Sequence, residues 1–377
     1  MNQQDCRHRE RAVLLVLAVS CFVLPEAGRA QDLGSALYIR TDSDHTTIVA
    51  PRARVQAPIA KATKLSFVYA ADIWTSASID IMTSASQRPV TEQRDELDVS
   101  ADQEFEDVIL TASYRYSTEP DYVSHGVSGG FSYDFADNNA TLAMGLSASA
   151  DTVGRAGDPQ FSRPVGTLGG RLSFTQVLGV GTVAQAMYEL SRTSGYLASP
   201  YRFVPIGGDG FCTSGVKNTG GIAPLCLREN DPGERLRHAA ALELRQALGS
   251  TWSLGAGYRF YIDDWSLSSH TIRAELAWLL DPDSTLSFRY RFYTQGSAKF
   301  YRERYATPQP YMTTDKELSS LSSNRFGLEA DHTWHFRDDR KLTTTLSFAP
   351  ILYSYRNFLP LDHITAFEVT AGLVFVP

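Results

Sequence analysis

Between Trp252 and Ile262 the chain reads WSLGAGYRFYI, and it sorts by parity. Trp252, Leu254, Ala256, Tyr258, Phe260 and Ile262 fall on one face of an extended strand. Ser253, Gly255, Gly257, Arg259 and Tyr261 fall on the other. The same period of two runs through Leu286 to Tyr293, where Leu286, Phe288, Tyr290 and Phe292 alternate with Ser287, Arg289, Arg291 and Tyr293. It recurs in Val108 to Tyr116, with Arg115 on the polar face. From Leu33 onward, such segments follow one another with turn signals between them. A secreted β-sandwich also alternates, but its strands are shorter and its outer parity is polar. Here one parity is apolar and aromatic, and the other carries Arg, Glu and Asp. A greasy exterior around a charged interior suits a bilayer, and mean hydropathy of −0.21 fits a barrel whose two faces average out.

The connections alternate in length. Short turns are read around 61–64, 104–107, 136–139, 179–181, 249–250, 281–284 and 337–340. Longer connections fall at 77–93, 153–165, 193–233 and 295–322, with tighter ones near 42–44, 119–121, 263–265 and 357. Short periplasmic turns and longer extracellular loops are the asymmetry of outer-membrane barrels. Strands are expected near 35–41, 45–57, 65–75, 94–102, 108–118, 122–135, 141–151, 167–177, 182–192, 235–247, 252–262, 270–279, 285–294, 324–335, 342–355 and 363–376. The fold class is therefore all-β, a transmembrane antiparallel β-barrel of about 16 strands, an even number as single-chain bacterial barrels have. Trp252, Trp278 and Trp334 then fall outward at the short-turn end, where indoles favour a membrane interface. In the last strand Phe367, Val369, Ala371, Leu373 and Phe375 share a face, resembling the terminal signal read by the barrel-assembly machinery. The departure is Pro377, where an aromatic residue is usual.

The N-terminus predicts export. Arg7, Arg9 and Arg11 precede an apolar run from Ala12 to Leu24, and Gly28-Arg29-Ala30 supplies small residues before Gln31. That is a signal peptide over residues 1–30, with the barrel domain over 31–377; the apolar run is short for a spanning helix. A membrane anchor and a lipoprotein signal at Cys21 are the weaker readings. Four of the 35 basic and three of the 42 acidic residues leave with this segment, moving the net charge from −7 to −8. An acidic chain argues against a nucleic-acid partner. Cys6 and Cys21 leave as well, so Cys212 and Cys226 are expected to form a local disulfide in an oxidising envelope. No His or second Cys pair completes a metal site beside them.

The inward parity gathers Arg52, Arg54, Arg115, Arg171, Arg245, Arg259, Arg273, Arg289 and Arg291 with Glu243, Glu275, Glu329 and Asp331. Asp72, Glu96, Asp98, Glu189 and Glu368 join them. Such a set either selects solutes by charge or simply hydrates and braces the wall, and both signs are represented comparably. Segment 285–294 is the most basic and the first choice for a selectivity surface. At the long-loop rim His45, Ser124, His125, Asp263, Asp264 and His270 leave a hydrolytic constellation conceivable, and rim aspartates leave calcium conceivable. No residue is assigned to catalysis, a metal or a cofactor. Loop 193–233, with Ser199-Pro200-Tyr201-Arg202 and Ile206-Gly207-Gly208-Asp209-Gly210, is a candidate plug; an exposed surface loop is the other reading.

Several long stretches carry a family resemblance: ALYIRTDSDHTTIVAPR (36–52), DIWTSASIDIMTSAS (72–86), PVTEQRDELDV (89–99), SYDFADNNATL (132–142), GRAGDPQFSRPVGTLGGRLSFTQVL (154–178), SPYRFVPIGG (199–208), YRFYIDDWSLSSHT (258–271) and FRYRFYTQGSAKFY (288–301). Over nearly all of the mature chain they resemble a family of uncharacterised proteobacterial proteins, classified as a domain of unknown function and held to be outer-membrane barrels. The resemblance implies location and fold and supplies no catalytic residues. Relatives encoded near a flavin transferase and a thioredoxin-like protein hint at an envelope redox system. The expected function is thus a channel or export conduit in outer-membrane lipid. A scaffold or partner for periplasmic redox proteins and a rim-active hydrolase are the alternatives.

Overall fold

The computed structural model describes residues 32–86, 88–212 and 223–377; the expected signal peptide lies outside them. Sixteen strands close into one antiparallel barrel. The first nine are β1 (Asp32–Asp42), β2 (Thr46–Ala60), β3 (Thr63–Ser76), β4 (Val90–Phe105), β5 (Val108–Glu119), β6 (Tyr122–Phe135), β7 (Ala140–Val153), β8 (Arg163–Gly179) and β9 (Thr182–Gly195). A two-stranded hairpin, β10 (Phe203–Ile206) with β11 (Leu225–Arg228), stands apart inside the next connection. The wall resumes with β12 (Glu234–Leu248), β13 (Trp252–Asp263), β14 (Ser268–Asp281), β15 (Ser284–Gln295), β16 (Leu321–His335), β17 (Lys341–Tyr355) and β18 (His363–Val376).

Each wall strand pairs with its neighbours in sequence, and β1 pairs with β18 from Leu33↔Phe375 to Asp42↔Ala366. Closure leaves the wall no open edge strand to present unpaired backbone groups to hydrocarbon. The strands run from 11 to 17 residues, enough to span a bilayer when tilted. All sixteen expected segments are present. The largest difference is β4, which starts at Val90 rather than near 94 and ends at Phe105, because TEQRDELD carries charge on both parities and hides its alternation.

The short turns are built locally. Ala136, Asp137 and Asn138 all have positive φ, and the Asn139 side chain donates to the Ala136 carbonyl at 3.0 Å. Between β8 and β9, Gly181 has φ +75°, and a Cβ there would lie 2.8 Å from that of Ala247. In the longer β3–β4 connection, Ser78 caps a one-and-a-half-turn helix, α1 (Ile79–Ser84), by accepting from the Ile81 amide. That helix was not expected from the sequence; six residues give too short a window for a period of 3.6 to register.

The distribution of apolar side chains is inverted relative to a water-soluble fold. Leu168 and Leu242 are 64% and 63% exposed on the outer surface, with dozens of other large apolar groups around them. Trp252 and Trp278 stack at 5.1 Å on this outer face at the short-turn end, and Trp334 is exposed there too. The buried apolar clusters lie instead at the opposite end. One gathers Trp265, Leu267, Ala298, Phe300, Tyr301 and Leu318. A second gathers Val204, Ile206, Tyr305 and Met312.

Candidate functional site

The lumen is ordered by cross-strand register, because residues directly opposite in an antiparallel pair face the same side. One inward row runs Arg245, Gly255, Glu275, Arg289 and Gly327 across β12 to β16. The next runs Glu243, Gly257, Arg273, Arg291 and Arg325. Arg245 bonds Glu275 at 3.1 Å, while Arg289 spans Glu275 at 2.8 Å and Glu329 at 2.6 Å. Arg273 meets Glu243 at 3.2 Å, Arg259 meets Glu189 at 3.0 Å, and Arg325 meets Glu368 at 2.9 Å. Asp331 accepts from the Thr345 hydroxyl at 2.5 Å.

On the other half of the wall, Arg54 stands opposite Val68 and donates to Gln56 at 2.5 Å. Arg115 is opposite Asp98, Arg171 opposite Glu189, and Arg52 opposite Ala70; all three are exposed in the lumen. Arg325 is absent from the set read from sequence although it lies within the expected strand 324–335, because the alternation of SSNRFG is weak around Gly327.

Two cavities lie along this wall. The larger, about 1120 Å³, reaches from Arg273 and Arg291 up to Arg40, Tyr353 and the loop residues Arg202 and Asp315. The smaller, about 660 Å³, extends from the same two arginines towards Thr175, Val183 and Gln185 near the short turns. Arg273 and Arg291 therefore line both.

Above the larger cavity the long connections fold together into a cap. Its hub is Arg202, whose side chain is 13% exposed. It lies 2.7 Å from Asp80 of α1, 3.6 Å from Glu229 beyond β11, and 3.4 Å from Asp315 of the β15–β16 connection. Three loops rooted in different parts of the wall thus meet on one guanidinium. Other ties draw in the rest: Lys316 to Asp44 at 3.4 Å, Tyr201 to Asp121, Tyr301 to the Asn357 carbonyl at 2.7 Å, and the Trp265 indole to the Glu234 carbonyl at 2.9 Å. The structure joins Cys212 to Cys226, Cα–Cα 5.6 Å, at the base of β11. The described parts of loop 193–233, residues 193–212 and 223–233, are packed into this cap rather than lying free on the surface.

Burial sets the protonation of the hub. It raises the Asp80 and Glu229 carboxyls above their ordinary values despite the attraction of Arg202. Burial, with Glu229 and Asp315 nearby, pushes Asp231 up to about 8, and its Oδ1 is buried without a hydrogen-bond partner. Burial opposes the charge on Arg202, yet Asp315, Asp80 and Glu229 hold its guanidinium well above its ordinary value.

The rim residues considered for hydrolysis are not brought together. Ser124 donates to Asp151 at 2.6 Å, whereas His125, one residue on, bonds Tyr114 at 2.8 Å on the opposite side of the wall. His270 likewise bonds Tyr258 at 2.7 Å, and Asp263 is engaged by Arg235 at 2.6 Å. His45 sits exposed in the β1–β2 turn with φ +59°.

No curated protein matches the chain in sequence. Among solved structures, a bacterial polysaccharide outer-membrane secretin is similar at TM-score 0.51 and 10% identity, over 92% of this chain and 98% of that one. OccD3 (OpdP) of Pseudomonas aeruginosa aligns at TM-score 0.48 and 10% identity, over 93% and 92%. The siderophore receptor PirA of Pseudomonas aeruginosa aligns at 0.46 and 10%, over 92% of this chain; the chain spans 62% of that receptor's length. The fold is that of the Gram-negative outer-membrane β-barrels. Residues 74–167 and 163–348 match the family described as proteins of unknown function, DUF3570, and the chain belongs to that family.

Proposed function

We propose that this barrel is a gated conduit for small polar solutes across the outer membrane, its capped rim facing outward and its short turns facing the periplasm. One observation carries the reading: a charged chamber of about 1120 Å³ lies inside the wall, directly beneath a cap held by ion pairs. A barrel serving only as a scaffold needs neither a chamber of small-molecule size nor a closure built from its long loops. The ion pairs of the hub share the holding of the cap with two small apolar clusters, neither of which belongs to the wall's hydrogen-bonded ladder, so release of the loops need not unfold the wall.

Planar-bilayer recording tests this. Wild-type protein should show rare openings, and Arg202→Met, which leaves Asp80, Glu229 and Asp315 without their shared cation, should conduct persistently. If neither conducts although both run as heat-modifiable barrels, the conduit reading fails and a scaffold for periplasmic redox partners takes its place.

A further inference from the structure

On the wall formed by β12 to β16, most lumen arginines meet a carboxylate. Arg235 meets Asp263 at 2.6 Å, and Arg237, without a carboxylate in ion-pair distance among the described residues, donates to the Thr193 hydroxyl at 2.9 Å. Arg245, Arg259, Arg273, Arg289 and Arg325 each have a glutamate oxygen within 3.2 Å. Arg291 has no carboxylate within ion-pair distance among the described residues, and its Nε is buried with no hydrogen-bond partner. Its neighbours make the position costlier. In register it stands directly opposite Arg273 on β14 and Arg325 on β16, so three guanidinium-bearing positions adjoin on consecutive strands. Like charges facing one another across strands repel, and a buried guanidinium donor without an acceptor forfeits its hydration. Among the described residues Arg52, Arg54, Arg115 and Arg171 also lack a carboxylate within ion-pair distance, but they stand exposed and line neither cavity. Arg40 lines the larger cavity without one, but its guanidinium lies over the Tyr353 ring at 5.4 Å.

We infer that Arg291 is an anion-binding site at the junction of the two cavities, taking the carboxylate or phosphate of a small organic anion between itself, Arg273 and Arg325. The inference rests on the conduit reading above and names the class of solute for it. The planar guanidinium offers a fork that two oxygens of one oxyanion can accept. Arg273 and Arg325 are already balanced by Glu243 and Glu368, so they contribute field and donors while Arg291 supplies the uncompensated charge. Since Arg273 and Arg291 line both cavities, an anion moving along the lumen meets this point whichever end it enters. The surrounding mixed charge keeps binding weak enough for release.

The test is isothermal titration of the full chain in detergent at low ionic strength, with inorganic phosphate and, separately, succinate as probes. Wild type should bind at least one of them. Arg291→Gln should weaken that binding by about tenfold, the worth of a charge-assisted hydrogen bond. Arg291→Lys keeps the charge and removes the fork, and it should weaken binding measurably as well. Heat-modified gel mobility establishes that each variant is a closed barrel. Absence of binding by wild type, or equal binding by wild type and Arg291→Lys, would overturn the site, the second by reducing it to a diffuse positive field. Conductance without anion binding removes the site and leaves the conduit; anion binding without conductance in any variant does the reverse.

Discussion

Phe288 and Arg289 are neighbours in the chain and face opposite media. Phe288 is 47% exposed on the outer surface, while Arg289 reaches Glu275 and Glu329 across the lumen. An arginine on the lipid face near mid-membrane costs roughly 2–4 kcal/mol, and a lumen substitution costs little. Phe288→Arg should therefore fail to yield the heat-modifiable species, whereas Arg289→Ser should assemble. In a conducting background Arg289→Ser should also shift permeability towards cations, since it frees Glu329 and leaves Glu275 to Arg245 alone. Normal assembly of Phe288→Arg would mean that the register is displaced by one residue. At this scale the sequence was legible: facing follows from the alternation within each strand, although the numbering parity of the outer face changes between some strands, as from Phe348 to its partner Val369. Pairing was not legible, because which glutamate answers which arginine depends on the stagger between strands. A balanced inventory of charges thus hid Arg291, whose buried Nε has no hydrogen-bond partner.

Among the elements, the cap was the least legible part. Its hub joins residues 80, 202, 229 and 315, drawn from three connections in which no periodicity operates, and each is an ordinary loop residue by type. The hairpin β10–β11 escaped notice for the same reason, since four-residue strands carry no usable alternation. The cap also has a predictable response to pH. Asp231 titrates near 8 in the closed cap against about 4 in an open, solvated loop. Between those values the closed form holds a proton that the open form has released, so closure weakens as pH rises through this window and strengthens as pH falls. Open probability in bilayers should increase from pH 6 to pH 8.5, and Asp231→Asn should flatten that slope. Reduction of the Cys212–Cys226 bond should act locally. Its 14-residue separation corresponds to about 3 kcal/mol of restraint, so proteolysis of the cap should quicken while the barrel remains heat-modifiable. Two free thiols by intact mass in protein purified without reductant would remove this restraint from the account.

For the molecule as a whole, sequence and structure agree on the number of strands and on the alternation of short and long connections, because both follow from the thickness of a bilayer and the need to close every edge. Mature protein is expected to begin at Gln31 and to fractionate with outer membrane; a heat-insensitive periplasmic species would contradict that. The two apolar clusters at the capped end carry a thermodynamic consequence. Detergent or lipid covers the outside of the wall whether the molecule is heated or not, so its apolar surface contributes little to the heat capacity of unfolding. The side chains around Trp265 and Val204 are the part of this protein that melting would newly expose to water. Scanning calorimetry should accordingly divide into two events. An early transition should carry a positive heat-capacity step and a loss of near-ultraviolet dichroism from Trp265. A later and nearly step-free transition should follow, in which the hydrogen-bonded wall comes apart.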